Sequence, residues 1–319
     1  MMRRFFILLV ICTFIIVPVS ADTIQWVDFG IPYESLKYAM DMDILTSEQE
    51  KHVSWIDMLA LSACRTGGKC SLLSVKKAAK DLKSDKLPVE RNTKLYNYYH
   101  KAYSAVLGGL LGNYAVEVDG QWKYTYGLKA FSPIAAGYGY SHCSDFGNKR
   151  SFGFARKHLG HDMMGGQGTP IIAVEGGVIE AMGWNRYGGW RIGIRSFDSK
   201  RYYYYAHLQK DKPFVEGLQI GDTVQAGDLI GFMGRTGYSD KENVNNIQTV
   251  HLHFGMQLVF DESQKECNNE IWIDVYNIAR LLSEHRSSVT KKDGVWQRKY
   301  AFVDLDISVL PENKKIVEN

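Results

Sequence analysis

Between about residues 116 and 260, the chain consists of short apolar runs separated by glycine-rich turns. The runs are rich in β-branched and aromatic residues, and most are too short for a helix; examples are 170–174, 191–195 and 202–206. Asp119 and Gly120 lie between two such runs, and this dipeptide is a strong signal for a tight β-hairpin turn. The pattern predicts an antiparallel sheet or sandwich across this part of the chain.

The segments on either side have helical patterns. Residues 22–115 contain several apolar stretches with helical spacing, and Pro32 is placed to open the first of them. Residues 271–285 again repeat apolar side chains at helical spacing. We therefore predict an α+β protein with a helical N-terminal region (22–115), a mostly antiparallel β domain (116–265), and a C-terminal helix and tail (266–319).

The first 21 residues have the layout of a secretory signal peptide. Arg3 and Arg4 precede an apolar stretch, and Ser20 and Ala21 are small residues suited to cleavage before Asp22. The apolar stretch is shorter than the roughly 20 residues that span a bilayer comfortably. We expect a secreted or cell-envelope location. Retention of the segment as an uncleaved anchor is the alternative, and contact with a membrane is expected only in that case.

Charge and cysteine content bear on the protein's partners and on its possible disulfides. The formal net charge is +3, and no long run of Lys and Arg is present, so nucleic acid is not an expected partner. Four cysteines follow the signal segment, namely Cys64, Cys70, Cys143 and Cys267. They allow three pairings, among which sequence does not choose, although Cys64 and Cys70 are close enough for a local bridge. The sequence also leaves the oligomeric state open.

Two histidines alternate in a strand-like run near the end of the β-rich part. On a strand, alternate side chains point to the same face, so His251 and His253 project together while Leu252 faces the other way. Two imidazoles on one face can share a metal ion, or divide its ligation and catalysis between them. His-x-His alone is only moderately specific, and chance is an equal explanation.

A second motif adds a histidine and a carboxylate at a spacing of four, His158 and Asp162, with Gly160 permitting a bend between them. Imidazole nitrogen and carboxylate oxygen are both good zinc ligands, and catalytic zinc sites usually have three protein ligands. His158, Asp162 and His253 supply that number. His161 competes with His158 for the first position, but the spacing favours His158.

Taken together, these motifs resemble those of the lysostaphin-type zinc metallopeptidases, which cut the peptide parts of bacterial peptidoglycan. The resemblance covers about residues 130–260, and its joint pattern is highly specific. The matching segments are 144–150, 158–162, 168–173, 177–179, 205–208, 221–224, 227–231, 234–237 and 251–254. The resemblance implies a mostly antiparallel sheet that forms a narrow groove with Zn²⁺ on its floor.

The resemblance also implies roles for single residues. The zinc ligands fall on His158, Asp162 and His253, and the two catalytic histidines fall on His207 and His251. His251 is expected to act as general base towards a zinc-activated water, and His207 to stabilise the oxyanion, although either histidine could exchange roles.

The sequence departs from the family pattern at two places, and the first of them bears on substrate preference. The loop 238–250 is longer than is usual, and Gly255 stands where many relatives have a glutamate. Arg156 is either a substrate-carboxylate contact or an ordinary surface residue. We predict a zinc endopeptidase that hydrolyses peptidoglycan peptides. The alternatives are a non-catalytic wall-binding or regulatory module of the same fold, and a zinc hydrolase acting on another peptide.

Overall fold

The computed structural model describes residues 29–153, 155–264, 269–307 and 316–317. The predicted signal segment and Cys267 lie outside the described residues, so the cleavage of that segment and the pairing of Cys267 remain predictions. Within the described ranges, no helix combines the length and apolar character needed to cross a membrane.

Four helices form the N-terminal region: α1 (Tyr33–Thr46), α2 (Trp55–Thr66), α3 (Leu72–Leu82) and α4 (Lys94–Leu107), with a 3-10 turn at Val89–Asn92. The side chains of Ser54, Ser71 and Thr93 accept backbone N–H groups at the starts of α2, α3 and α4. Such caps satisfy donors that a helix start leaves unpaired. The predicted helical character of this region is confirmed.

A β-hairpin follows the helices. It joins β1 (Leu111–Val118) to β2 (Gln121–Leu128) through Asp119 and Gly120. Both turn residues have positive φ angles, 52° and 76°, as a two-residue type I′ hairpin requires. The predicted hairpin is therefore confirmed, because its turn chemistry is local.

The remaining strands up to the C-terminal helix are short. They are β3 (Tyr140–Cys143), β4 (Lys149–Arg150), β5 (Arg156–Lys157), β6 (His161–Gly165), β7 (Pro170–Ile172), β8 (Gly177–Asn185), β9 (Gly189–Ser196), β10 (Arg201–Ala206), β11 (Thr223–Val224), β12 (Leu229–Phe232), β13 (His251–Leu258) and β14 (Ile271–Ile273). The largest sheet has the order β11-β8-β9-β10-β13-β6-β3, with β14 also paired to β13, and all its pairings are antiparallel.

The register of this sheet brings distant sequence motifs together. On β13, His253 is opposite Asp162 of β6 on one side and Ala206 of β10 on the other. His251 is opposite Met164. The segments around residues 162, 207 and 253 therefore meet at one end of the sheet.

The C-terminal part differs from a single helix over 271–285. Its first three residues form β14, and the helix α5 runs only from Tyr276 to Leu282. Further strands follow: β15 (Val289–Lys292), β16 (Val295–Arg298), β17 (Phe302–Asp304) and β18 (Ile316–Val317). β17 and β18 pair with β1 and β2 respectively. The C-terminal helix is present, but the segment after it also contains strands.

Helices and main sheet share one hydrophobic core. Leu36 and Leu59 of the helical region belong to the same buried cluster as Ile194, Phe254 and Leu281. The predicted fold class, a mostly antiparallel sheet with helices before and after it, is confirmed. The domain boundaries drawn from the sequence remain a prediction.

The possible local disulfide is not formed. Cys64 and Cys70 are both free thiols, the first half-buried and the second buried against the Leu59 carbonyl. Cys143 is free as well.

Candidate metal and catalytic site

Three side chains meet where β6 and β13 pair. Nε2 of His158 lies 2.8 Å from Nδ1 of His253, and Oδ1 of Asp162 lies 3.0 and 3.1 Å from those two nitrogens. Asp162 and His253 face each other across the strand register, while His158 precedes β6. His158 and Asp162 are each only 6% exposed. The three side chains predicted as zinc ligands therefore converge on one point.

Asp145 orients the His158 ring through the ring nitrogen that faces away from Asp162. Its Nδ1 lies 3.3 Å from the backbone oxygen of Asp145 and 3.1 Å from that residue's Oδ1. The backbone oxygen can only accept a hydrogen bond, so Nδ1 carries the proton and Nε2 is the nitrogen that is free to bind a metal. Arg150 pairs with Asp145 and reaches Oδ2 of Asp162 at 3.3 Å. Such partners fix ligand orientation in metal sites, and the sequence motifs gave neither residue a role.

Gly160 is required for a reason other than a bend. A Cβ atom built there would lie 2.5 Å from Cε1 and Nε2 of His253 and 3.0 Å from the Phe254 oxygen. The His253 ring thus occupies the space that a side chain at position 160 would fill. Its Nδ1 is consequently directed towards Asp162.

The electrostatics of the cluster favour an anionic carboxylate beside neutral imidazoles. Burial alone would raise the pKa of Asp162, but hydrogen bonds with His158 and His253 outweigh it and hold this pKa well below its usual range. Burial lowers the pKa of His253, with Asp162 offsetting part of the effect. Neutral imidazole nitrogen and ionised carboxylate are the protonation states that bind a metal ion.

Two further histidines face the same point without joining the three. Nδ1 of His207 donates to the Thr236 carbonyl at 2.9 Å, and Nδ1 of His251 donates to the Thr249 carbonyl at 2.8 Å. A carbonyl only accepts, so each ring keeps a bare Nε2. Nε2 of His251 lies 3.7 Å from Oδ1 of Asp162, and the rings of His207 and His251 are 4.8 Å apart.

Backbone strain marks the same place. His207 and Tyr238 have φ angles of 61° and 50°, in the left-handed region that residues other than glycine rarely adopt. Their rings meet edge to face, with centroids 6.0 Å apart. Burial and the neighbouring His251 and His253 lower the pKa of His207 well below its usual value. Strained residues of this kind cluster at functional sites.

His161 lies on the other side of β6 from Asp162, as strand alternation requires. Its Nε2 is 2.7 Å from Nδ1 of His142, and its Nδ1 donates to the Cys143 oxygen at 3.0 Å. Burial lowers its pKa to about 4. His161 thus pairs with His142 and is not among the three converging ligands.

Both departures from the family pattern have a structural counterpart. The loop 238–250 places Tyr238 against His207. A Cβ at Gly255 would lie 2.7 Å from the Trp272 ring, so Trp272 of β14 takes the space of a larger residue. Trp272 and Tyr204 pack edge to face, with centroids 6.1 Å apart, and the Tyr204 ring is 5.8 Å from that of His253.

Two imidazoles and one carboxylate converging on a point, with two more histidines beside them, have the composition of a metal-dependent hydrolase centre. Residues 156–268 match the family model described as Peptidase family M23. This segment overlaps most of residues 130–260, where the motifs resemble the family, so the predicted resemblance is confirmed for this part of the chain.

Curated relatives agree with the family. The chain is 35% identical over 162 residues to the L-Ala–D-Glu endopeptidase of Bacillus subtilis (strain 168), covering 51% of this chain and 47% of the relative. It is 38% identical over 98 residues to lysostaphin of Staphylococcus staphylolyticus, covering 30% of this chain and 18% of the relative. The chain therefore spans less than half the length of these two relatives.

Among solved structures, lytM from Ruminococcus gnavus ATCC 29149 superposes with a TM-score of 0.50 at 22% identity. The match covers 81% of this chain and 98% of that chain. At this identity the likeness concerns the fold alone, and it extends well beyond the family-matched segment.

Proposed function

We propose that this protein is a zinc-dependent endopeptidase that hydrolyses peptide bonds in bacterial peptidoglycan. The observation that carries the proposal is the convergence of His158, Asp162 and His253 with two histidines whose bare Nε2 atoms face the same point. The family match and the printed names of its relatives, an L-Ala–D-Glu endopeptidase and lysostaphin, support the substrate class.

The donor set fits a zinc ion. Two neutral imidazole nitrogens and one ionised carboxylate oxygen are common zinc ligands, and a set of three leaves a coordination position for water or substrate. Asp145 would keep the His158 ring in place through Nδ1, as partners behind a ligand do in other zinc sites. When bound, zinc would polarise a water molecule and the scissile carbonyl.

The chain's own histidines would handle the proton. His251 presents a bare Nε2 and would accept a proton as general base, while Thr249 holds its other nitrogen. His207 is held by Thr236 in the same way. It would take a proton from solvent water at Nε2 as negative charge develops on the substrate oxygen, because that charge offsets the burial that disfavours the protonated ring. Nε2 would then donate a hydrogen bond to the oxyanion of the tetrahedral intermediate. His251 and His207 are thus proposed as the catalytic residues.

The location follows from the substrate class. Peptidoglycan lies outside the cytoplasmic membrane, and the first 21 residues have the composition of a signal segment. We propose that the protein is secreted or held in the cell envelope, with the β domain carrying catalysis.

The test is the variant His251→Ala in the full chain. We expect hydrolysis of purified peptidoglycan to fall by about 10²–10⁴-fold, as loss of a general base does, while stoichiometric zinc remains bound. Release of peptide fragments measured by mass spectrometry and zinc measured by elemental analysis report the two properties separately. His100→Ala, in helix α4 of the N-terminal region, is the control.

Full hydrolysis by His251→Ala would contradict the assignment of the general base. A wild-type chain that holds no stoichiometric zinc and releases no fragments would instead favour the non-catalytic wall-binding or regulatory module.

A further inference from the structure

One wall of the site is an aromatic cluster that holds a guanidinium group. We call Phe152, Tyr187, Tyr238 and Arg156 the aromatic wall. The Phe152 ring stacks on Tyr238 with centroids 4.9 Å apart and meets Tyr187 edge to face at 6.2 Å. The guanidinium carbon of Arg156 lies 4.6 Å from the Tyr187 ring centroid and 5.3 Å from that of Tyr238. Contacts with two rings restrict where this cation can be.

The aromatic wall adjoins the proposed catalytic residues. Tyr238 contacts the His207 ring edge to face, with centroids 6.0 Å apart. The guanidinium of Arg156 lies over that same Tyr238 ring. The Tyr238 ring therefore connects Arg156 to His207.

Charge balance distinguishes Arg156 from Arg150 and Arg186. Arg150 pairs with Asp145 and Asp162, and Nε of Arg186 pairs with Asp240 at 3.2 Å. Within the described residues, Arg156 has no carboxylate within ion-pair distance. Its Nη1 donates to the backbone oxygen of Phe152 at 2.8 Å, which is a neutral partner.

A guanidinium stacked on aromatic faces still presents N–H groups along its edge, in the geometry that suits a carboxylate. Arg156 is half-buried, so solvent satisfies its charge less completely than at an open surface. A half-buried cation with a fixed position and no acidic partner is suited to an anionic group of a ligand.

We propose that Arg156 binds a free carboxylate of the substrate peptide next to the scissile bond. The site then prefers a peptide with an acidic residue at that position over an all-glycine peptide. This inference rests on the proposed peptidase function, and it adds the substrate class and a specificity-determining residue.

The experiment uses the zinc-loaded full chain and two matched synthetic peptides. Both contain one L-Ala–D-Glu bond; in one the Glu carboxyl outside the peptide chain is free, and in the other it is a primary amide. We expect the wild type to have a kcat/KM about tenfold higher or more for the free acid, because a charge-assisted hydrogen bond is lost in the amide. In Arg156→Gln, the ratio of kcat/KM for the acid to kcat/KM for the amide should fall to near one, mainly because the acid is cleaved more slowly. Arg156→Lys should retain part of the preference for the acid.

The matched control is Arg186→Gln. Its guanidinium also lies over Phe152 and Tyr187, but Asp240 already balances the charge, so the variant should keep the preference for the acid. Binding of both peptides to His251→Ala, measured by calorimetry, gives the same comparison without turnover. Replacing Arg156 in that background should weaken binding of the acid selectively.

The outcomes separate this inference from the proposed function. A ratio unchanged in Arg156→Gln, or an equal loss on both peptides, would overturn the role of Arg156. Hydrolysis of peptidoglycan by a wild type that neither binds nor cuts either peptide, or that prefers pentaglycine to both, would also overturn it and leave the peptidase function standing. Failure of the zinc-loaded wild type to hydrolyse peptidoglycan or any peptide would overturn the peptidase function itself.

Discussion

At the scale of single residues, the position of the His253 ring depends on what is missing at position 160. Residues 158–162 form a tight segment because the backbone at Gly160 lies against that ring, where a Cβ would come within 2.5 Å. The constraint is a close approach between segments that are 93 positions apart, and no local rule reveals it. A glycine between two ligands is consistent with a bend, as the sequence suggested, but packing is the physical reason for it.

Gly160→Ala should therefore weaken metal binding while the chain remains folded. The added methyl displaces the His253 ring, and zinc affinity should fall by about 10–100-fold, as it does when a ligand loses its support. Competition with a chromophoric chelator measures the affinity. Gly166→Ala is the matched control, because a Cβ there has no neighbour closer than 3.7 Å. Equal affinity in the two variants would argue against this role for Gly160.

The sequence pointed to the five histidine and aspartate positions because each sits in a short motif with characteristic spacing. Asp145, Arg150 and Thr236 lie in segments that match the family pattern, but the pattern assigns them no role, because they position other side chains through contacts between distant segments. In the sequence, Tyr238 stands out only as part of an unusually long loop. Its left-handed backbone and its contact with His207 appear only in three dimensions.

At the scale of elements, one buried arginine joins helix α4 to the sheet. Arg201 of β10 is 1% exposed. It forms two hydrogen bonds with the Glu175 carboxylate, at 2.7 and 2.9 Å, and Nη1 donates to the Ala105 carbonyl of α4 at 2.8 Å. Tyr203 donates to the same carboxylate at 2.6 Å. Arg201 and Glu175 balance each other's charge, so removing either side chain leaves the other as an uncompensated charge.

Arg201→Met should lower the free energy of unfolding by about 3–5 kcal/mol, the usual cost of leaving one buried charge unpaired. Urea denaturation of the chelator-treated chain measures it without a contribution from metal binding. Lys200→Met, at the exposed neighbouring position, should change stability little. A double variant with Glu175→Gln should recover part of the loss, and equal stability of Arg201→Met and wild type would exclude this role.

Elements were predictable where their signals are local. The β1–β2 hairpin follows from Asp119 and Gly120, and the N-terminal helices follow from spacing and caps. By contrast, the apolar spacing predicts that a helix begins at residue 271, but residues 271–273 form β14. Three residues are too few for their apolar spacing to distinguish a strand from a helix. They form a strand because they pair with residues 256–258 of β13.

At the scale of the whole molecule, the helical region is part of the body that carries the site. Helix α5 packs against α1, where Lys37 pairs with Glu284 at 2.9 Å and Asn277 donates to the Ile31 carbonyl at 3.0 Å. The sequence separated a helical region from a β domain because its patterns change near residue 115. Which helix packs against which strand depends on contacts between distant segments, and pattern alone does not carry that information.

His285 follows α5 at the junction of these parts and is held in its neutral form. Its Nδ1 donates to the Ala130 carbonyl at 2.9 Å, and its ring stacks on Phe131 at 4.0 Å. Burial lowers the pKa of His285, and the charge of Arg298 adds to this, while the hydrogen bond to Ala130 offsets part. The other titratable ring against it is Tyr114, at 6.3 Å.

The sign of the pH effect follows from that lowered pKa. Below the unfolded-state pKa of about 6.5, the unfolded chain takes up a proton at this position that the folded chain resists, so acid favours unfolding. The stability that neutral His285 provides is therefore fully present above about pH 6.5 and declines as the pH falls towards the folded-state pKa. Each pH unit by which the folded-state pKa lies below the unfolded-state pKa contributes about 1.4 kcal/mol to the free energy of unfolding at neutral pH.

Comparing wild type with His285→Gln isolates this contribution from those of other histidines. Urea denaturation in chelator, from about pH 7.5 to pH 5, should show the wild type more stable at the upper end. The difference should shrink as the pH falls, because only the wild type has a proton to gain at position 285. A constant difference would mean that the pKa of His285 is the same in the folded and unfolded states, and a widening one that folding raises it. Either result would contradict a pKa lowered by burial.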